Sequence, residues 1–118
     1  MIKYKNIVTL LLSKKLLKDK DDTDMTLLSI NVNKFALLRN SRGTNNPNLI
    51  EMCKKCIDFG AQGITVHPRP DERHSKFSDL PNIKELINHS KNIEFNIEGY
   101  PSKFFIKNVI NTLPDQVT

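Results

Sequence analysis

The sequence predicts an α/β fold in which short parallel strands form part of a barrel and helices cover its outside. Strand patterns alternate with helical patterns, and the connections between them are short, which is typical of right-handed βαβ units and a parallel sheet. Each predicted strand is apolar on one face and polar on the other, and its strongest polar group lies near the carboxyl end. Barrel active sites form at that end of the strands.

The composition fits one small globular domain. The chain has 118 residues, of which 38% are hydrophobic and 26% charged. Its net charge of +5 is spread along the sequence without a run of five like charges. We therefore expect a solvated basic surface and no nucleic-acid interface. Cysteine usage gives no sign of an oxidising compartment, and we expect a cytoplasmic protein without a membrane span.

Residues 1–25 differ in pattern from the rest of the chain. A short basic segment is followed by a brief apolar run and then by charged residues. The run is too short to cross a membrane, and no small-residue cleavage site follows it. We predict a poorly ordered or helical N-terminal extension over residues 1–25, with Met25 as an alternative start, and the N-terminal portion of a barrel over residues 26–118.

The first predicted strand is "TLLSINVN", Thr26–Asn33. Residues 37–47, rich in Asn, Ser, Gly and Pro, predict a loop. A helix is then expected with Asn46 as its cap, Pro47 as its first residue and Gly60 at its end.

Cys53 and Cys56 form a C-x-x-C pair inside this helical pattern. Such a pair can be a redox motif or half of a zinc site. The sequence contains no second pair, and residues three apart share one helix face. Two buried, small, apolar side chains are the simpler interpretation.

The remaining elements follow in the same alternation. Ile64–His67 predicts the second strand, residues 68–78 a charged loop, and residues 92–99 the third strand. Helices are predicted within residues 79–90 and 101–114, and "DQVT" begins a fourth strand. The residues expected to face the core are Ile83, Leu86 and Ile87 of the first helix and Phe105, Val109, Ile110 and Leu113 of the second.

All three complete strands alternate apolar and polar residues. A doubly wound sheet buries both faces and prefers nearly continuous apolar strands. A polar face repeated three times therefore favours a barrel, and the alternative is a small open α/β sheet with half-solvated strands.

The polar groups at the strand ends suit acid–base chemistry. Glu98 is a carboxylate on an otherwise apolar strand, and burial raises the pKa of such a group towards neutrality. His67 is a second proton carrier. Arg42, Arg69 and His74 can hold phosphate or carboxylate groups.

A simpler interpretation of the loop cations is also available. Arg42, Arg69 and Arg73 could form solvated ion pairs with Asp71 and Glu72. No metal site is expected, because no third ligand accompanies the two loop histidines at a familiar spacing.

Three motifs, "INVNKFALLRNSRGTNNPNL", "FGAQGITVHPRPDERH" and "EFNIEGYPS", resemble the pyridoxine 5′-phosphate synthase family over residues 26–118. The resemblance implies a partial TIM (β/α)8 barrel of about three βα units plus the start of strand four. It implies a transferase that condenses 3-amino-2-oxopropyl phosphate with 1-deoxy-D-xylulose 5-phosphate, releasing phosphate and water without a metal or organic cofactor. It further implies that the full-length protein forms homo-oligomers.

The resemblance also implies roles for single residues. Those roles are proton transfer by His67 and Glu98, binding of the aminoketone phosphate by Asn31 and Arg42, and binding of deoxyxylulose phosphate by Asn33, Lys34, Arg69 and His74. Many members carry Asp-His at the Asn33-Lys34 position, which weakens that assignment.

The chain stops at the start of strand four, before the family's later catalytic and phosphate-binding residues. We therefore expect the 118-residue chain alone to be inactive and marginally folded. The alternative to an enzyme portion is a non-catalytic remnant.

Overall fold

The computed structural model describes residues 26–118, so the predicted N-terminal extension lies outside the described residues. The elements are, in chain order, β1 (Ser29–Asn31), α1 (Asn33–Arg42), α2 (Leu49–Asp58), β2 (Gly63–Val66), a 3-10 turn (Phe77–Asp79), α3 (Leu80–Asn88), β3 (Glu94–Ile97), α4 (Lys103–Thr112) and β4 (Gln116–Val117).

The four strands form one parallel sheet in the order β1-β2-β3-β4. Ile30 pairs with Ile64, and Ile64 pairs with Phe95, so apolar residues lie in line on one face. Thr65 pairs with Asn96, and Asn96 with Gln116, on the other face. Sequential parallel strands joined through helices confirm the predicted α/β class and match part of a (β/α)8 barrel.

The core lies on the apolar face of the sheet. Ile64, Val66, Phe95 and Ile97 are completely buried there. All four helices contribute to this cluster, through Ala36 of α1, Leu49 and Cys53 of α2, Leu80, Ile83 and Ile87 of α3, and Phe105 of α4.

The polar face is organised by a row of hydrogen bonds that crosses the sheet. The hydroxyls of Ser29 and Thr65 are 2.8 Å apart, and the Asn96 amide donates to Thr65 Oγ1 at 3.5 Å. Thr118 Oγ1 in turn donates to Asn96 Oδ1 at 3.0 Å. These bonds let Thr65 and Asn96 be buried without losing their polar partners.

The loop predicted over residues 37–47 is wrong for its first half. Helix α1 continues to Arg42, and Gly43 ends it with φ 65° and an N–H bonded to the Asn40 carbonyl. Residues 34–39 are mostly good helix formers, and their propensity outweighs that of Asn40 and Ser41. The first strand is correspondingly shorter than predicted, because Asn33 is already helical.

The start of the next helix was predicted two residues too early. Asn48, not Asn46, is the N-cap, and its Oδ1 accepts the N–H groups of Ile50 and Glu51 at 3.0 and 3.1 Å. Pro47 therefore precedes the cap. The end of this helix, just before Gly60, is as expected.

The cysteine pair follows the simpler interpretation. Cys53 is buried, Cys56 is half-buried, and both thiols are free. Burial, with a smaller contribution from Cys56, raises the pKa of the Cys53 thiol to about 12.

Helix α4 faces the core with fewer residues than predicted. Phe105 is buried and Val109 packs against the core, as expected, but Ile110 and Leu113 are 62% and 70% exposed. Residues 105 and 109 lie one turn apart on one face, and Ile110 lies about 100° further round the helix. Leu113 is outside the helix, in a left-handed C-cap.

Candidate active site

Asn31 and Glu98 meet at the carboxyl ends of β1 and β3. Asn31 Nδ2 donates to Glu98 Oε2 at 3.4 Å, reaching across the end of β2. The other atom of this amide, Oδ1, accepts the N–H of Asn33 at 3.0 Å. That second bond sets the amide orientation, so its donor group faces the carboxylate.

The backbone next to Glu98 needs a glycine. A Cβ at Gly99 would lie 2.4 Å from Cε2 of Phe105, a ring that is itself buried. The Glu98 N–H donates to the Val66 carbonyl at 2.8 Å and continues the pairing beyond β3. Close contact with α4 on one side and pairing with β2 on the other fix the position of Glu98. The edge of the sheet where the carboxyl ends of the strands meet is called the rim.

His67 and His74 lie at the end of β2, with ring centroids 5.9 Å apart at 66°. Asn33 Oδ1 accepts both the His67 N–H at 3.0 Å and the Ser75 hydroxyl at 2.7 Å, and so connects the two ends of the segment formed by residues 67–75.

Partial burial lowers the pKa of the His74 imidazole, and the nearby His67 and Arg69 add to the shift. Within residues 26–118, the buried His74 Nδ1 has no hydrogen-bond partner. A neutral ring with one unsatisfied nitrogen is suited to accept or donate a hydrogen bond to a bound ligand.

Arg69 and Arg73 both bind the Asp71 carboxylate. Arg69 Nη2 lies 3.0 Å and Arg73 Nε 3.1 Å from Asp71 Oδ2. Hydrogen bonds from Arg69, followed by those from Arg73, hold the pKa of Asp71 at about 2. The solvated ion pairs considered from the sequence therefore form at Asp71, while Glu72 has no ion pair among the described residues.

Lys34 and Arg42 are exposed, and no hydrogen bond or ion pair to residues 26–118 fixes either side chain. The structure thus brings Asn31, Asn33, His67, His74 and Glu98 into one connected group. The roles predicted for Lys34 and Arg42 stay predictions.

Helix α1 supplies contacts that sequence reasoning missed. Arg39 Nη1 and Nη2 donate to the two carboxylate oxygens of Asp79 at 2.8 and 2.9 Å. Asn40 Nδ2 donates to the carbonyls of Glu72 and His74. The wrong loop prediction hid these residues, because Asn40 and Ser41 favour turns over helices in local propensity.

A polar cavity of about 510 Å³ lies between the end of α1 and the residues around Glu72 and Asp79. Its lining is Arg39, Asn40, Gly43, Thr44, Asn45, Glu72, Lys76, Ser78 and Asp79. None of the site residues predicted from the sequence lines it. Over residues 26–118 no three His, Cys, Asp or Glu side chains cluster as metal ligands.

Chemically, the rim combines a carboxylate held by an amide, a pair of imidazoles and a guanidinium group. The first two kinds of group move protons, and the last binds oxyanions.

None of the helices in the described part of the chain is long and apolar enough to cross a membrane.

Comparison with known proteins matches the sequence of this chain to a family. The model of the pyridoxal phosphate biosynthesis protein PdxJ family matches residues 28–118. The pyridoxine 5′-phosphate synthases of Parabacteroides distasonis, Phocaeicola vulgatus and Cytophaga hutchinsonii are 55%, 53% and 52% identical over 94 residues. The match covers 80% of this chain and 38% of each relative.

Proposed function

Because this chain belongs to the family of the pyridoxal phosphate biosynthesis protein PdxJ, we propose that it provides the N-terminal part of a pyridoxine 5′-phosphate synthase active site. The reaction would condense 3-amino-2-oxopropyl phosphate with 1-deoxy-D-xylulose 5-phosphate, releasing phosphate and water. The observation that carries the proposal is the convergence of Asn31, Glu98 and the two histidines at one rim of the sheet.

Glu98 and His67 are the proposed proton carriers. Condensing an amine with a ketone requires protons to leave carbon and nitrogen and to reach departing oxygen, so two carriers at one rim suit the chemistry. The Asn31 amide holds one oxygen of the Glu98 carboxylate and leaves the other to face the substrate.

The phosphorylated substrates are assigned to the cationic side of the rim. Arg69 and His74 are proposed ligands of deoxyxylulose phosphate, with Asn33 and Lys34 as further contacts. Asn33 Oδ1 is already used by His67 and Ser75, so its Nδ2 is the atom left for substrate. Asn31 and Arg42 are the proposed ligands of the aminoketone phosphate.

The alternative is that this chain is a non-catalytic remnant. It spans 38% of the length of its curated relatives, and in residues 26–118 Asn31 is exposed and Glu98 only half-buried. On either reading we expect no turnover by the 118-residue chain alone, which an assay with both substrates measures directly.

Glu98→Gln tests the proposal in a complete barrel that carries this chain as its N-terminal portion. The amide keeps the shape but cannot transfer a proton, so we expect turnover to fall about 10²- to 10⁴-fold with little change in KM. Glu94→Gln is the matched control, because Glu94 occupies the same strand and polar face at the opposite end. Unchanged turnover in Glu98→Gln with a normal fold would remove Glu98 from the mechanism.

A further inference from the structure

We infer that Asn40 is a positioning residue, whose side-chain amide holds residues 67–75 in the conformation that presents Arg69 and His74 to a phosphorylated ligand. The inference rests on the proposed function, since it takes Arg69 and His74 as phosphate ligands. Asn40 itself lies on α1 and is not one of the residues assigned to substrate by family resemblance.

The amide of Asn40 uses both its donor and its acceptor. Nδ2 donates to the Glu72 carbonyl at 3.1 Å and to the His74 carbonyl at 2.7 Å, two groups that flank Arg73. Oδ1 accepts from Arg39 Nε at 3.1 Å. A single side chain therefore fixes the backbone on both sides of Arg73.

The backbone that Asn40 fixes is in an unfavourable conformation. Glu72 has φ 49°, which is uncommon for a residue with a Cβ and persists only where surrounding contacts determine it. The Glu72 N–H closes a turn onto the Arg69 carbonyl at 2.9 Å. Loss of the Asn40 contact would leave the turn with local bonds alone, namely this one and those that Asp71 accepts from Arg69 and Arg73.

Asn40 acts together with Asn33, two helical turns earlier on the same side of α1. Asn33 binds the two ends of the segment, at His67 and Ser75, whereas Asn40 binds its middle. The Arg39–Asp79 pair, with side chains only 11% and 15% exposed, locks α1 to the 3-10 turn that follows the segment. Helix α1 is thus a rigid support with two amide contacts to the site.

Removing the Asn40 contact should change the surroundings of His74. Its imidazole is partly buried and faces His67, Arg69, Asp71 and Arg73. With the carbonyl of His74 released, the ring should gain solvent. Its pKa, now lowered mainly by burial, should then move back up towards the ordinary value.

The experiment uses the 118-residue chain and the variants Asn40→Ala and Asn40→Asp. Aspartate keeps the shape and the acceptor for Arg39 but has no N–H to donate. Asn108→Ala is the matched control, because Asn108 Nδ2 also donates to a backbone carbonyl, that of Phe104 at 2.9 Å, on α4. The readouts are the pKa of His74 from the NMR shifts of its ring protons and the dissociation constant of inorganic phosphate from the same signals.

Both Asn40 variants should raise the pKa of His74 and weaken phosphate binding about tenfold, because the hydrogen bonds to the Glu72 and His74 carbonyls that order the binding segment are lost. Asn108→Ala should change neither, even if it lowers the melting temperature. A wild-type His74 titration in both Asn40 variants would overturn the inference. So would an unfolded Asn40→Asp chain, since Asn40 would then be a residue of general stability.

The two proposals fail in different ways. A wild-type chain that binds no phosphate would count against the proposed function, and the His74 titration would still decide the role of Asn40. Conversely, phosphate binding that Asn40→Asp leaves intact would refute the positioning role and keep the assignment of Arg69 and His74.

Discussion

The two faces of the sheet are held by different interactions. On one face Ile64, Phe95 and Ile97 are completely buried against four helices and are specified by volume and shape. On the other, Thr65 and Asn96 are almost as buried, yet they are specified by hydrogen-bond partners. The helix-covered face therefore carries most of the folding free energy, and the polar face sets the positions of the groups at the rim.

The sharpest test of this difference compares two neighbouring residues of β3. Phe95→Ala should lower the free energy of unfolding by about 3–5 kcal/mol, because it leaves a cavity in the core. Asn96→Ala should cost about 1–2 kcal/mol, since it leaves Thr65 and Thr118 each short of one hydrogen bond. Chemical denaturation of a complete barrel that carries this chain as its N-terminal portion measures both, and equal losses would contradict the distinction between the faces.

Gly99 lies between Glu98 at the rim and the buried ring of Phe105, so its substitution should affect both the site and the core. Gly99→Ala places a methyl group against the buried Phe105 ring, which should cost about 1–3 kcal/mol of stability by overpacking. The same displacement should separate Glu98 from Asn31, which NMR shifts of the Asn31 amide would report. Gly43→Asn is the control, because its side chain would enter open space and asparagine tolerates the left-handed backbone there. A stable Gly99→Ala chain would show that α4 can move aside.

Cys53 gives a pH-dependent test of the helix-covered face. Burial raises the pKa of its thiol from 9.0 to about 12, so between these pH values only the unfolded chain releases the proton. The free energy of unfolding should therefore fall as pH rises from about 9 to about 12, by about 1.4 kcal/mol per pH unit. Denaturation at several pH values checks this slope, and Cys53→Ala should reduce it to the smaller contribution of Cys56, whose thiol pKa is also raised by burial. An identical slope in that variant would mean that Cys53 is open to solvent when folded.

The alternation of apolar and polar residues along each strand predicted the sheet well. Alternation in "TLLSINVN", "ITVH" and "NIEFNIEG" predicted the three strands, and its parity separated Ile64 and Phe95 from Thr65 and Asn96, as the structure confirms. Such periodicity reflects a constraint that every residue of a half-buried strand shares. The same parity placed Asn31 and Glu98 on the polar side near the ends of their strands, and the structure adds the hydrogen bond between them.

Local composition predicted α1 poorly. Asn40 and Ser41 suggested a loop, but their side chains are satisfied by carbonyls, one of them 34 residues away. A contact of that range leaves no trace in local propensity. The exposure of Ile110 was missed for a related reason, since a helix with apolar residues on several sides does not reveal which side meets the sheet.

Under the proposed function, an anion that binds at this rim would replace Asp71 as the ligand of the arginine side chains. A carboxylate of the protein itself already occupies the guanidinium groups of Arg69 and Arg73. With Arg69 as a phosphate ligand, an incoming anion has to compete with that carboxylate and succeeds by carrying more charge or more acceptor oxygens. A phosphate dianion meets this condition and a simple carboxylate does not. Under the proposed function, Asp71 is therefore the competitor that an anionic substrate has to displace from Arg69.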